Sequence, residues 1–210
     1  MDHKKLEKYT RLALDTVYSE PELNNYHTQL IPRIVEQYFP AELRKDAEIL
    51  DIGCGQGTFL DVIRDKGYLA SVGVTLSPDD YEACISKKHK AVLSDMWDLP
   101  VQDNSIDYIW CRHAIEHSPY PLFALYDFNR VLIDGGAAFI EVPAPDCPRG
   151  HEYNPNHYSV LGLNMWVSLF RKTGFQVTKS DVFEIELIIE DKKVKDKSFI
   201  FEIVKHETVA

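Results

Sequence analysis

The chain has 210 residues, 45% of them hydrophobic, and carries 33 acidic against 23 basic side chains for a formal net charge of −10. That length buries one substantial core and is short for two, so a single domain spanning 1–210 is expected. The acidic balance opposes nonspecific attraction to a phosphate backbone, which needs Lys and Arg to neutralise several phosphates, although it leaves room for a local basic groove.

At the N-terminus, Met1-Asp2-His3-Lys4-Lys5-Leu6 has no apolar stretch behind its lysines, so neither a secretory signal nor a transit peptide is read there. No apolar run anywhere reaches bilayer length, and the expectation is a cytoplasmic chain without a membrane partner. Residues 1–45 are helical in composition, punctuated by Pro32 and Pro40, and are read as a helical cap over a core at 46–210. The core opens with a strand at Glu48–Ile52, a helix at Thr58–Lys66 stopped by Gly67, and a strand at Ala70–Val74. A helix follows from Pro78 and Asp79 to Lys88, then a short strand at Ala91–Leu93. A fourth strand at Ile106–Cys111 is entered from the turn Gln102-Asp103-Asn104-Ser105.

The spacing then predicts a helix over Pro121–Leu132, a turn at Asp134-Gly135-Gly136 and a fifth strand at Ala137–Val142. A Pro-rich stretch (Pro143, Pro145, Pro148, Pro155) leads to an amphipathic helix at Leu161–Thr173, ended by Gly174. Strands at Gln176–Phe183 and Phe199–Val204 complete seven, with the charge run Glu190–Lys197 as a solvated hairpin loop. Alternating strands and helices of this kind predict an α/β, doubly wound, mostly parallel sheet. The cysteines Cys54, Cys84, Cys111 and Cys147 form no CxxC pair and are read as reduced packing residues.

Chemistry concentrates first at Ile49-Leu50-Asp51-Ile52-Gly53-Cys54-Gly55-Gln56-Gly57-Thr58-Phe59-Leu60, a strand running through a glycine-rich turn into a helix. Glycine lets the backbone turn tightly and approach a ligand, and the helix start offers unused N–H groups to a nucleotide-like group. Dinucleotide binding uses the same turn with GxGxxG spacing, whereas this chain has GxGxG. The segment resembles motif I of the class I S-adenosylmethionine-dependent methyltransferases, in the manner of their type 11 and 12 branches, and the resemblance runs from about Ala47 to Phe175. It implies a Rossmann-like fold with S-adenosylmethionine as cofactor. By that likeness Asp51 organises the loop, and Gly53, Cys54, Gly55 and Gly57 wrap the methionine moiety.

Ser94-Asp95-Met96-Trp97-Asp98-Leu99-Pro100 and Asp103-Asn104-Ser105-Ile106-Asp107-Tyr108-Ile109 resemble motifs III and IV of the same family. The resemblance implies that Asp95 accepts from the adenine amino group, that Met96 and Trp97 pack by the ring, and that Arg112 sits near the methyl donor. One position departs: where the family carries an acid for the ribose hydroxyls, this chain has Thr75. Gly73-Val74-Thr75-Leu76-Ser77 is similar to the cyclopropane fatty acid synthase branch, which implies ribose contact through Thr75, Leu76 and Ser77.

After strand four, Arg112-His113-Ala114-Ile115-Glu116-His117 puts His113, Glu116 and His117 on one face if that turn is helical. Imidazole and carboxylate together suit a first-row divalent metal. In a generic reading, the xLEH stretch of many simple methyltransferases, the histidine lines the acceptor pocket. In a sharper one, His157 or His151 from Glu152-Tyr153-Asn154-Pro155-Asn156-His157-Tyr158 completes a site of His113, Glu116, His117 and His157. That arrangement resembles the ExxEH…H pattern of the small-RNA 3′-terminal 2′-O-methyltransferases and, more loosely, the ubiquinone-pathway O-methyltransferases, which are metal-assisted. His113 replaces their first acid, shifting preference from Mg²⁺ toward Mn²⁺, Fe²⁺ or Zn²⁺. Without metal, His117 or His157 is a candidate general base, with Glu116 beside it.

Tyr120, Tyr153, Tyr158 and Trp166 are candidates for an aromatic acceptor wall, although Trp166 spaced with Leu163, Leu169 and Phe170 reads as core. Tyr18, Tyr26 and His27 are candidates to close over the donor by family analogy alone. The leading functional expectation is O-methylation of a small-molecule or sugar-like hydroxyl. The alternatives are 2′-O-methylation of an RNA 3′ end, a catalytically silent S-adenosylmethionine-binding regulator, and carbon alkylation of a lipid.

Overall fold

The computed structural model describes residues 7–9, 25–189 and 192–206. Its elements in chain order are α1 (Asn25–Tyr38), β1 (Ile49–Ile52), α2 (Thr58–Asp65), β2 (Ser71–Thr75), α3 (Pro78–Ser86), β3 (Lys90–Leu93), β4 (Ile106–Arg112), α4 (Pro121–Val131), β5 (Leu132–Pro143), α5 (Leu163–Lys172), β6 (Phe175–Ile189) and β7 (Lys192–Lys205). The strands form one seven-stranded sheet in the order β3-β2-β1-β4-β5-β7-β6. All neighbours from β3 to β5 are parallel, and β7 inserts antiparallel between β5 and β6. Among the described residues no helix is long and apolar enough to cross a membrane.

Every residue of β1 is buried, as a central parallel strand covered on both faces requires. The two-residue period of the strands sorts their side chains between two cores. Leu50, Ile52, Ile109, Cys111, Ala138 and Ile140 face α4 and α5, packing with Leu125, Phe128, Trp166 and Phe170. Ile49, Tyr108, Trp110 and Phe139 face α1 and α2, packing with Ile34, Val35, Phe59, Leu60 and Ile63. On that second face Trp110 stacks between Phe59 and Phe139, at centroid distances of 4.5 and 4.0 Å.

Three expectations change. Helix α1 runs through Pro32 rather than stopping there; its lost backbone bond is outweighed by burial of Ile34 and Val35 against the sheet. Residues 34–39 accordingly cover a face of the sheet. Tyr18 lies outside the described residues, as do the side chains of Tyr26 and His27. The expected turn at Asp134-Gly135-Gly136 falls within β5, which pairs Leu132 with Ile106 and Ala137 with Tyr108. The intervening chain loops out there, with Gly135 at φ 76°. Finally, Lys192–Lys197 is strand rather than loop: β6 and β7 stay paired out to Ile189 and Lys192, and alternating charges suit the solvated faces of such an arm.

Candidate functional site

The parallel strands all deliver their C-terminal ends to one edge of the sheet, where ligands collect in open α/β folds. At the end of β1, the amides of Gly53 and Cys54 both donate to the Val74 carbonyl, at 2.9 and 3.1 Å, which ties the loop to β2. Gly53, Gly55 and Gly57 all have positive φ, at 69°, 48° and 79°. Gly57 is the N-cap of α2 and supplies no side-chain cap, so the first-turn N–H groups are offered toward the cleft. That uncapped, glycine-lined helix start fits a nucleoside cofactor. Asp51 is buried at the end of β1 beneath the loop.

The Cys54 side chain is not part of this cradle. It turns inward, with Sγ 3.9 Å from Cys84 Sγ, and its thiol is pushed well above its usual range by the adjoining Cys84 sulfur and by burial. Its thiol also donates to the Gly55 carbonyl within the loop, at 3.5 Å.

At the end of β2, the Thr75 hydroxyl accepts from the Ser77 amide at 3.0 Å, and Ser77 in turn caps α3 by accepting from Asp80 N. Each hydroxyl keeps its own proton to donate, while the Leu76 side chain is exposed at the cleft edge. Ser77→Ala is expected to cost about 1 kcal/mol of stability through the lost cap, as read from urea unfolding. Beyond β3, burial lifts the Asp95 carboxyl above its usual range although the Met96 and Trp97 amides point at it. The Trp97 ring packs on Tyr120 and Phe123, at 4.9 and 6.3 Å between centroids.

At the end of β4, the Arg112 Nε lies 2.7 Å from Glu141 Oε2, and both side chains are buried. Burial opposes the charge of Glu141, but Arg112 and His113 more than compensate and hold its carboxyl down at about 2. His113 has positive φ, 48°, and lies outside the following 3-10 turn, Ile115–His117. The expected single helical face of His113, Glu116 and His117 therefore does not form. His113 instead stands between two carboxylates, Nδ1 3.4 Å from Glu116 and Nε2 3.2 Å from Glu141. Burial works against its charge, yet these acids push it up to about 9.

Glu116, His117 and His157 do converge: their ligand atoms lie within 4.8 Å of one another. Glu116 is wholly buried, and the ion-pair partner of its carboxylate is His113. His117 Nδ1 lies 2.9 Å from the Asn156 carbonyl, and His157 Nδ1 lies 2.9 Å from the His151 carbonyl. A carbonyl can only accept, so both rings carry their proton on Nδ1. His157 Nε2 is met by the Asn154 amide at 3.1 Å. Burial, and then the neighbouring histidines against the pull of Glu116, hold His157 below its usual value. The amides of Tyr158 and Ser159 donate to the Glu116 carbonyl, fastening the loop to the 3-10 turn. Carbonyl-held imidazoles beside a buried carboxylate make a donor set that fits a divalent cation.

Of the expected aromatic wall, Trp166 is fully buried core, Tyr153 is 90% exposed, and Tyr120 lies by Trp97 instead. Sequence reasoning missed Glu141. Its signal was an acid inside the apolar run Ala137-Ala138-Phe139-Ile140-Glu141-Val142.

Residues 23–180 match the family model described as "Methyltransferase domain". Among curated proteins, the chain is 26% identical over 151 residues to the 27-O-demethylrifamycin SV methyltransferase of Amycolatopsis mediterranei, covering 64% of this chain and 56% of that one. It is 31% identical over 107 residues to the chloroplastic tocopherol O-methyltransferase of Arabidopsis thaliana, covering 47% and 31% respectively. The chain thus spans about half the length of the first relative and less than a third of the second. The crystal structure of a SAM-dependent methyltransferase from Archaeoglobus fulgidus superposes with a TM-score of 0.70 at 19% identity, over 85% of this chain and 94% of that one.

Proposed function

The chain belongs to the methyltransferase domain family, and from that premise we propose that it passes the methyl group of S-adenosylmethionine to a hydroxyl oxygen of a small-molecule acceptor, with a divalent cation at Glu116, His117 and His157. The observation that carries the metal reading is the convergence of the fully buried Glu116 carboxylate with His117 and His157, whose ligand atoms lie within 4.8 Å of one another. The small hydroxyl acceptor is supported by the relatives named for rifamycin SV and tocopherol. The net charge of −10 disfavours an RNA acceptor.

The cofactor brings a methyl group on a sulfonium, and a bound divalent ion lowers the pKa of a hydroxyl that it holds. The chain's own residues supply placement. The Gly53–Gly57 loop and the start of α2 receive the amino-acid end, Thr75 and Ser77 meet the ribose, and Asp95 meets the adenine amine. Asn156 and His151 fix the imidazole tautomers through their carbonyls, so Glu116, His117 and His157 meet the acceptor end preoriented. Much of the acceleration in such a transfer comes from holding the reacting atoms in line. Arg112 acts on the site through Glu141, to which its side chain is committed.

Calorimetric titration of S-adenosylmethionine and S-adenosylhomocysteine, without metal and then with Mn²⁺, Zn²⁺ or Mg²⁺, tests this. Cofactor binding with stoichiometric metal is expected, the metal being lost in His117→Ala/His157→Ala while cofactor affinity stays within about threefold. Cofactor binding without metal would remove the cation and leave His117 Nε2 as general base. Cofactor binding with no turnover on a panel of hydroxyl acceptors would indicate a silent binder.

A further inference from the structure

Directly behind the His157 loop lies a second cluster, of different donors. The ligand atoms of Cys147, His151 and Asp196 lie within 4.8 Å of one another. His151 Nε2 is 2.7 Å from Asp196 Oδ1, and Cys147 Sγ is 3.9 Å from the same oxygen. Three elements of local structure bring them together. Past β5, the Ala144 amide donates to the Lys197 carbonyl, so the loop leaves the sheet alongside β7. Residues 147 and 151 are then folded toward each other by a turn in which the Gly150 amide donates to the Cys147 carbonyl, with Gly150 at φ 68°. Asp196 sits on the inward side of β7, in line with buried Ser198 and Ile200, where strand alternation calls for an apolar residue. A carboxylate is costly at such a position unless it is partnered.

From this the geometry points to a second metal site, in which Cys147, His151 and Asp196 bind a borderline-soft divalent ion of the Zn²⁺ class. A thiolate, an imidazole and a carboxylate form a set that favours such an ion over Mg²⁺. Three protein donors leave a fourth tetrahedral position for water. The ion takes the place of the Cys147 thiol proton, which is released to solvent. The donor separations ask for little movement, chiefly the parting of His151 from Asp196 so that both face the ion.

The site bears on the first cluster through the backbone, because the His151 carbonyl holds His157 Nδ1 and the two rings lie 5.7 Å apart. An ion at Cys147 would pin the loop whose carbonyl orients His157. The inference does not depend on methyl transfer or on the cation at Glu116.

Cobalt titration of the full chain separates the two sites, since Co²⁺ bound to a thiolate gives a ligand-to-metal charge-transfer absorption that nitrogen and oxygen donors lack. The wild-type protein and His117→Ala/His157→Ala are expected to show that band at one equivalent, and Zn²⁺ is expected to displace it. Cys147→Ser should abolish it, and Asp196→Asn should move the titration to higher Co²⁺ concentration. Near-ultraviolet circular dichroism of each variant confirms a native fold. No band in the folded wild-type protein would overturn the site. So would a band surviving Cys147→Ser, which would place the thiolate elsewhere, or a band lost in the double histidine variant, which would make the clusters one.

Discussion

Gly53→Val is expected to lose about 2–6 kcal/mol of stability and at least tenfold in S-adenosylmethionine affinity. Two costs coincide there. The position has φ 69°, and a Cβ would stand 2.5 Å from the Ala114 Cβ. A β-branched residue in the left-handed region costs about 1–3 kcal/mol, and overpacking costs about as much again. Relief by movement would pull the Gly53 amide from the Val74 carbonyl and displace the loop proposed to receive the cofactor. Gly135→Ala is the control: its φ is 76°, but nothing lies within 4 Å of its Cβ. It should cost only about 1 kcal/mol and leave cofactor binding intact. Gly53→Ala combined with Ala114→Gly relieves the collision and keeps the backbone strain, so its urea midpoint should fall between the two. Equal losses in Gly53→Val and Gly135→Ala would show that close packing against Ala114 is not what the glycine serves.

Arg112→Met should destabilise the protein by about 2–4 kcal/mol at neutral pH, because it leaves the buried Glu141 carboxylate with His113 as its remaining cationic partner. Replacing both partners, as in Arg112→Met/Glu141→Leu, should recover much of the loss, since two apolar side chains need no compensation. The pH dependence follows from the carboxyl's fall from 4.5 to about 2 in the folded state. A depressed folded pKa means that its contribution is fully present above pH 4.5 and is lost as the pH falls through about 2. The shift corresponds to roughly 3 kcal/mol. Urea unfolding between pH 6 and 2 should show this acid limb in the wild type and a much shallower one in Arg112→Met. A parallel limb in both proteins would mean that the Arg112 and Glu141 charges are not coupled.

The parallel half of the sheet was legible because its signals are local. Ile49–Ile52 is an unbroken apolar strand around one aspartate, and the glycine turn, helix start and next strand follow in order. The resemblance pointed to the same segment that the fold opens at the sheet edge. The antiparallel end was harder: Lys193 and Lys195 are exposed while Asp196, between Lys195 and Lys197, is buried, and only pairing with β6 makes the segment strand. The acceptor side depended on the turn type. A helical reading put His113 with Glu116 and His117, but the left-handed backbone at His113 takes it out of that face and turns it toward Glu141, a partner 28 residues away. The convergence of Cys147 with Asp196 was beyond reach for the same reason, as it depends on β7 running beside β5. Their 49-residue separation leaves no periodic trace.

The tautomers of His117 and His157 are set by the carbonyls of Asn156 and His151, and a carbonyl is common to every residue. The chain's trace between 151 and 157, rather than its side-chain identities, therefore carries the information that orients both rings. Tyr153, 90% exposed on that segment, is left free to diverge. A lineage can exchange it for another side chain, and so reshape what the loop presents to incoming molecules, without altering the carbonyls that orient the imidazoles behind it.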